Sequence, residues 1–150
     1  TCVCALLIAM PVAAQERGLL PLNQISMEFY NRVGYHDYEG IALNTAERVR
    51  LVGDLGDHPA MILRNHGLLT VGESAAEAFL RMFYLEKACD IQIAAQASGD
   101  LRVPSAEIAE HTARQFAGEA TDDFADDQAY EMAWAALLRM LDRTAPDYKN

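Results

Sequence analysis

The sequence predicts an α/β domain, a sheet flanked by helices, and three observations carry that prediction. Apolar runs of strand length, Ala60-Met61-Ile62-Leu63 and Leu68-Leu69-Thr70-Val71, fall in the first half. Capped segments with helical spacing fill the second half from Ser74 onward. The 150 residues are 51% hydrophobic and 23% charged, enough apolar surface for one core of ordinary domain size and too much for a disordered chain. Residues 1–150 are therefore expected to form a single domain with a helical part from about residue 74.

Cys2-Val3-Cys4-Ala5-Leu6-Leu7-Ile8-Ala9-Met10 is a dense apolar run, too short to span a bilayer. No basic residue precedes it, so it reads as a strand or helix entering a core and not as a signal segment. Ala9 to Arg17 is helix-like and stops at Gly18, a residue type suited to ending a helix. Ile25 to Tyr38, with Phe29, Tyr30, Val33 and Tyr35, reads as extended. Asn44 and Glu47 have capping-box spacing for a short helix through Leu55, closed by Gly56.

Ser74 and Glu77 form a second capping box, opening a long helix to about Gly99. Phe79, Met82, Phe83, Cys89 and Ile93 supply its expected apolar stripe, with Cys89 a buried thiol. Pro104-Ser105 starts another helix to about Gly118. Asp122, Asp123, Asp126 and Asp127 read as an acidic solvated loop. A last helix runs from about Gln128 to Arg143, with Trp134, Leu137, Leu138 and Leu141 on one face.

The net charge is −10, without a cluster of Lys or Arg, which argues against nucleic acid or anionic lipid as a partner. Three cysteines do not make a disulfide framework, and a reducing, cytoplasmic setting is expected. Among four histidines His66 is the sharpest candidate ligand, in the polar break Arg64-Asn65-His66-Gly67 between two strands. A backbone-bonded turn histidine is an equally good reading of it. His36 has Asp37 beside it, but adjacent strand residues point to opposite faces, so it reads as structural. His58 reads as a loop residue and His111 as solvent-facing. There is no Gly-rich phosphate loop and no Gly-x-Ser-x-Gly elbow. Cys2-Val3-Cys4 lacks zinc-knuckle spacing, although two such thiols can share a metal.

At Arg64-Asn65-His66-Gly67-Leu68-Leu69-Thr70-Val71-Gly72 the chain resembles the class II aldolase and adducin head-domain family. Gly18-Leu19-Leu20-Pro21, Tyr35-His36-Asp37-Tyr38-Glu39-Gly40, Glu77-Ala78-Phe79 and Gln92-Ile93-Ala94-Ala95-Gln96 extend the likeness, as does the tail from Trp134 to Tyr148. The resemblance implies a three-layer α/β/α domain around a mostly antiparallel sheet, often assembled as a tetramer. It implies reversible aldol cleavage, or related enediolate chemistry, on a small sugar phosphate or similar carbonyl substrate. It also implies a divalent metal, usually zinc, held by a His-x-His pair and by a third histidine, here His66.

The pair should fall near Val3 to Ala5, where no histidine stands; Cys2 and Cys4 have the same spacing and are the possible co-ligands. The glutamate and phosphate-binding loop of the family belong to an upstream half that the resemblance places before this chain. The chain is accordingly expected to be inactive alone, as the C-terminal part of a metal-dependent enzyme, and to expose a sheet edge. The alternative is a non-catalytic module of the adducin kind, serving the cytoskeleton.

Overall fold

The computed structural model describes residues 3–8, 11–41, 45–119 and 126–149; for 3–8 and 126–128 it describes the backbone alone. The architecture begins with four strands, β1 (Val3–Ile8), β2 (Val33–His36), β3 (Ala60–Leu63) and β4 (Gly67–Gly72), in the spatial order β1-β4-β3-β2. β4 runs antiparallel to both β1 and β3, while β2 and β3 are parallel. A parallel pair needs a crossover, and α2 (Glu47–Leu55) provides it. Of the two readings of the apolar run at the start of the chain, strand or helix, the strand holds: Val3–Ile8 pairs with β4 at one end of the described sheet.

Alternation along β2 and β3 decides which helix covers which face. Ala60, Ile62 and Leu68 join Val12, Ala13 and Phe29 in one buried cluster with Met82, Leu85 and Cys89 of α3 (Ala75–Ala97), and Val33 and Tyr35 pack against it. Gly34 and His36 alternate with Val33 and Tyr35, so they face the other way. There they meet α2: a Cβ on Gly34 would lie 2.5 Å from the Asp54 carbonyl oxygen. Helices α2 and α3 therefore lie on opposite faces, and the sheet is the middle layer of an α/β/α arrangement.

Local chemistry explains most element ends. The Ser74 hydroxyl accepts the Glu77 N–H at 3.2 Å, while the Glu77 carboxylate takes the N–H of Glu73, one residue outside the expected box. Ser105 caps α4 (Ala106–Phe116) by accepting the Ile108 N–H. Gly56 closes α2 with φ +52°.

Some expectations need correction. Residues 25–38 are not all extended, because Asn23 opens a short helix, α1 (Gln24–Glu28). The Asn23 side chain accepts the N–H groups of Ile25 and Ser26, and the Ser26 hydroxyl bonds back to the Asn23 backbone. Serine stands where a glutamate was the signal looked for. Between Ala9 and Arg17 only Pro11–Ala14 is helical, as one 3-10 turn; Ala9 and Met10 lie outside the described residues. Helix α2 begins at Glu47, and Asn44, expected to cap it, lies outside the described residues.

The third correction concerns α3. Its buried seam is Ala78, Met82, Leu85, Cys89 and Gln92, while Phe79 and Phe83 are 46% and 42% exposed. Small alanines admit the sheet closely, and the aromatics move to the flank. There Phe79 packs on Trp134 of α5 (Asp126–Thr144), ring centroids 5.5 Å apart. Trp134, Leu137, Leu138 and Leu141 are half-buried on one face, as expected. Asp126 and Asp127 begin that helix instead of lying in a loop; Asp122 and Asp123 fall outside the described residues.

Candidate functional site

His66 lies in the turn between β3 and β4, and its neighbours are locked from three directions. Asn65 occupies the left-handed region at φ +57°, which asparagine tolerates better than most residues. Its N–H donates to the Ala13 carbonyl at 2.9 Å, and the His66 N–H donates to Leu63 at 3.0 Å. The Arg64 N–H donates to the His36 carbonyl at 2.9 Å, its guanidinium donates to the Gln15 carbonyl at 2.9 Å, and it lies 4.8 Å over the Tyr35 ring.

The segment that Arg64 grips is itself anchored to α3. Gln92, 1% exposed, accepts the Leu20 N–H and donates to the Gly18 carbonyl and the Gln15 side chain. Gly18 has φ +62°, and a Cβ there would stand 2.5 Å from the Tyr35 ring. The Gly-Leu-Leu-Pro segment and the Arg-Asn-His-Gly turn are thus one rigid unit, with the half-buried His66 at its edge. Gln92 sits on the core face of α3, outside the apolar stripe by which that face is recognised in the sequence.

Of the two expected co-ligands, Cys4 does not reach this turn. The β1–β4 register sets Ile8 opposite Gly67 and Cys4 opposite Val71. Cys4 thus sits five residues of β4 away from His66, about 17 Å at ~3.4 Å per residue. Ligands of one zinc, at ~2.3 Å for sulfur and ~2.1 Å for nitrogen, put their Cα atoms within roughly 12 Å of each other. Cys4 is therefore not a co-ligand of His66, and Cys2 lies outside the described residues. Among the described residues no group of three or more His, Cys, Asp or Glu side chains is arranged to hold a metal ion. A catalytic zinc needs about three protein ligands, so the family's metal does not fit the residues this chain is shown to assemble.

The other histidines differ from one another. His111 is exposed on α4, as expected. His58 borders an open polar cleft at the far end of the sheet, lined also by Arg32, Asp57, Glu73, Glu77 and Arg81. His36 is structural and almost fully enclosed. Its Nδ1 lies 2.7 Å from the Asp54 carboxylate, and its Nε2 lies 3.5 Å from that of Glu47. Asp37, just past the end of β2, points to solvent and lies 3.7 Å from the Arg64 guanidinium. Glu47, in the first turn of α2, is a buried carboxylate. Its seven-residue separation from Asp54, two helical turns, was the signal that both face β2. Cys89 is a buried thiol that burial pushes up to about 12, far from nucleophilic.

The hairpin that carries Arg-Asn-His-Gly thus belongs to a mixed sheet between two helical layers. The chain belongs to the class II aldolase and adducin N-terminal domain family, whose model matches residues 2–93. It is similar to an aldolase class 2 family protein of Caulobacter vibrioides, 44% identical over 140 residues that cover 93% of this chain and 52% of the relative. Rat alpha-adducin is 36% identical over 139 residues, covering 87% of this chain and 19% of adducin.

Among solved structures, an aldolase II superfamily protein from Pseudomonas syringae superposes with a TM-score of 0.82 at 46% identity, covering 94% of this chain and 55% of that one. An L-fuculose 1-phosphate aldolase from Glaciozyma antarctica PI12 matches at a TM-score of 0.61 and 25% identity, covering 84% and 47%. The chain spans about half the length of the bacterial relatives it matches. Among the described residues no helix is long and apolar enough to cross a membrane.

Proposed function

We propose that this chain is the C-terminal part of a metal-dependent class II aldolase-type protein and contributes one metal ligand, His66. The reading rests on one observation above others: the Arg64–Gly67 turn is held rigidly by Asn65, Arg64 and the Gln15–Leu20 segment, and among the described residues the His66 ring makes no hydrogen bond. A turn so braced presents an imidazole in a fixed position, which suits a ligand better than a loop residue. The other ligands, the proton-moving glutamate and the phosphate-binding loop would come from the half of the relatives that this chain does not span. Alone, the chain is inactive.

The parent chemistry is reversible aldol cleavage or related enediolate chemistry on a small sugar phosphate or similar carbonyl substrate, with zinc as the divalent ion. The likeness to an L-fuculose 1-phosphate aldolase supports that substrate class. A homo-oligomer, tetrameric as is usual for the family, and a cytoplasmic setting complete the reading.

The test is reconstitution. The chain is co-expressed with the half of the Caulobacter vibrioides relative that it does not cover. Zinc content and aldehyde release from L-fuculose 1-phosphate are then measured for wild type and His66→Ala. Zinc and cleavage that both vanish in His66→Ala support the reading; either one surviving that substitution overturns His66 as a ligand.

The likeness to alpha-adducin favours a second reading, a non-catalytic cytoskeletal module. A reconstituted complex that holds no metal and co-sediments with filamentous actin would establish it.

A further inference from the structure

Helix α2 has two faces, and the described fold uses the inner one. Glu47 and Asp54 point toward β2, where they meet His36. Val49, Val52, Gly53 and Gly56 recur at i, i+3, i+4 and i+7 and form the opposite stripe. Val49 and Val52 are 77% and 71% exposed. A Cβ on Gly53 would meet nothing within 4 Å, and one on Gly56 only the Gly53 carbonyl oxygen, at 3.8 Å. An interior glycine weakens a helix relative to alanine. Gly53 thus weakens α2 without easing any contact within the described fold.

The loop beside α2 adds to this face. Arg50 holds Glu39 in a two-pronged ion pair, which keeps that loop against the helix. Tyr38 and Ile41, on either side of Glu39, are 55% and 81% exposed.

Charge selects what fits the stripe. Arg48 lies at the start of α2 and Asp57 just past its end, and among the described residues neither makes an ion pair or a side-chain hydrogen bond. Glu47, Arg50 and Asp54 already have partners. A second α2 laid antiparallel, centred between Val52 and Gly53, brings Arg48 level with the partner's Asp57 at both ends. A parallel one brings like charges together. The antiparallel alignment also sets Val52 against the partner's Gly53 and Val49 against the partner's Gly56, so each valine fills the space over a glycine. The two helix dipoles then oppose each other favourably.

We propose that the outer face of α2 docks a second copy of this chain, helix against helix in antiparallel register about a twofold axis. Such a contact uses the same patch on both copies. It gives the homo-oligomer of the preceding reading a face, and it rests on that reading only in requiring a second copy. A helix of nine residues is about 14 Å long, so the contact buries less than the roughly 800 Å² per partner of a standard interface. The dimer is therefore a weak one.

The test is sedimentation equilibrium of the full chain from about 10 μM to about 1 mM, the range in which so small a contact associates. The mass should rise from that of one chain towards that of two. Val52→Glu should abolish the rise. Gly53→Ala should weaken association about tenfold while the fold itself becomes more stable, a pair of effects that a damaged fold does not produce. Arg48→Asp and Asp57→Arg should each weaken association about fivefold, and the double variant should restore it. A chain that stays monomeric throughout overturns the proposal, as does association unchanged by Val52→Glu or by Gly53→Ala. Association that survives Val52→Glu refutes this face while leaving the homo-oligomer standing. A double charge variant that does not recover overturns the antiparallel register.

Discussion

Gly34→Ala tests the layer arrangement where it is tightest. A Cβ at Gly34 would lie 2.5 Å from the Asp54 carbonyl oxygen, roughly 0.9 Å inside ordinary contact. The obstacle is helix backbone, not the flexible end of a side chain, so α2 must shift as a body or β2 must bend. Overpacking of this kind costs about 1–3 kcal/mol. Against that, alanine restricts the unfolded chain and returns about 0.4–1 kcal/mol. The net expectation is a loss of about 1–2 kcal/mol in guanidinium unfolding, seen as a lower midpoint with an unchanged slope. Gly53→Ala is the control: it lies within α2 with nothing within 4 Å of a new Cβ, so it should stabilise by about 0.5–1 kcal/mol. If Gly34→Ala were as stable as wild type, α2 would not be seated on the face of β2 opposite α3, and the three-layer reading would fail.

Other expectations follow from single residues. Gln92→Leu strands the Leu20 N–H and the Gly18 carbonyl in the interior and should cost about 2–4 kcal/mol in chemical unfolding; a loss below about 1 kcal/mol would show the amide to be dispensable. Asn65→Gly should leave stability within about 0.5 kcal/mol of wild type while Asn65→Ala costs about 1 kcal/mol, because φ at this position is +57°; equal effects would mean that the turn relaxes. Burial raises the Cys89 thiol to about 12, whereas an unfolded thiol ionises near ~8.5, so the unfolded state releases a proton that the folded state keeps as pH climbs. Between pH 8 and pH 10 wild type should therefore lose about 1–2 kcal/mol more stability than Cys89→Ala; parallel losses in the two proteins would contradict a buried thiol.

How far the sequence reveals this protein depends on the range of the interactions involved. Strands β3 and β4, the long helix α3 and its Ser74 cap are legible because their determinants lie within a few residues of one another. The short helix α1 is not, since its cap pairs Asn23 with Ser26 where a glutamate is the usual signal. Met82, Cys89 and Ile93 of the expected α3 stripe face the core, whereas Phe79 and Phe83 do not, and Phe79 meets Trp134, some fifty residues away. The site divides in the same way: His66 stands out within a four-residue motif, whereas His36 acquires its partners from α2. Whether Cys4 could join His66 depends on strand register, which neither residue encodes by itself.

The central claim is that this chain belongs to the class II aldolase and adducin N-terminal domain family, yet that its described residues bring no group of three or more ligands together for a metal. Metal content after purification without chelators, by elemental analysis of wild type and His66→Ala, tests it most directly. The account predicts far less than one zinc per chain in both proteins, and no difference between them. About one zinc per wild-type chain, lost in His66→Ala, would contradict it, because a closed site of about three or four ligands would then exist around a turn at which the described fold supplies only one.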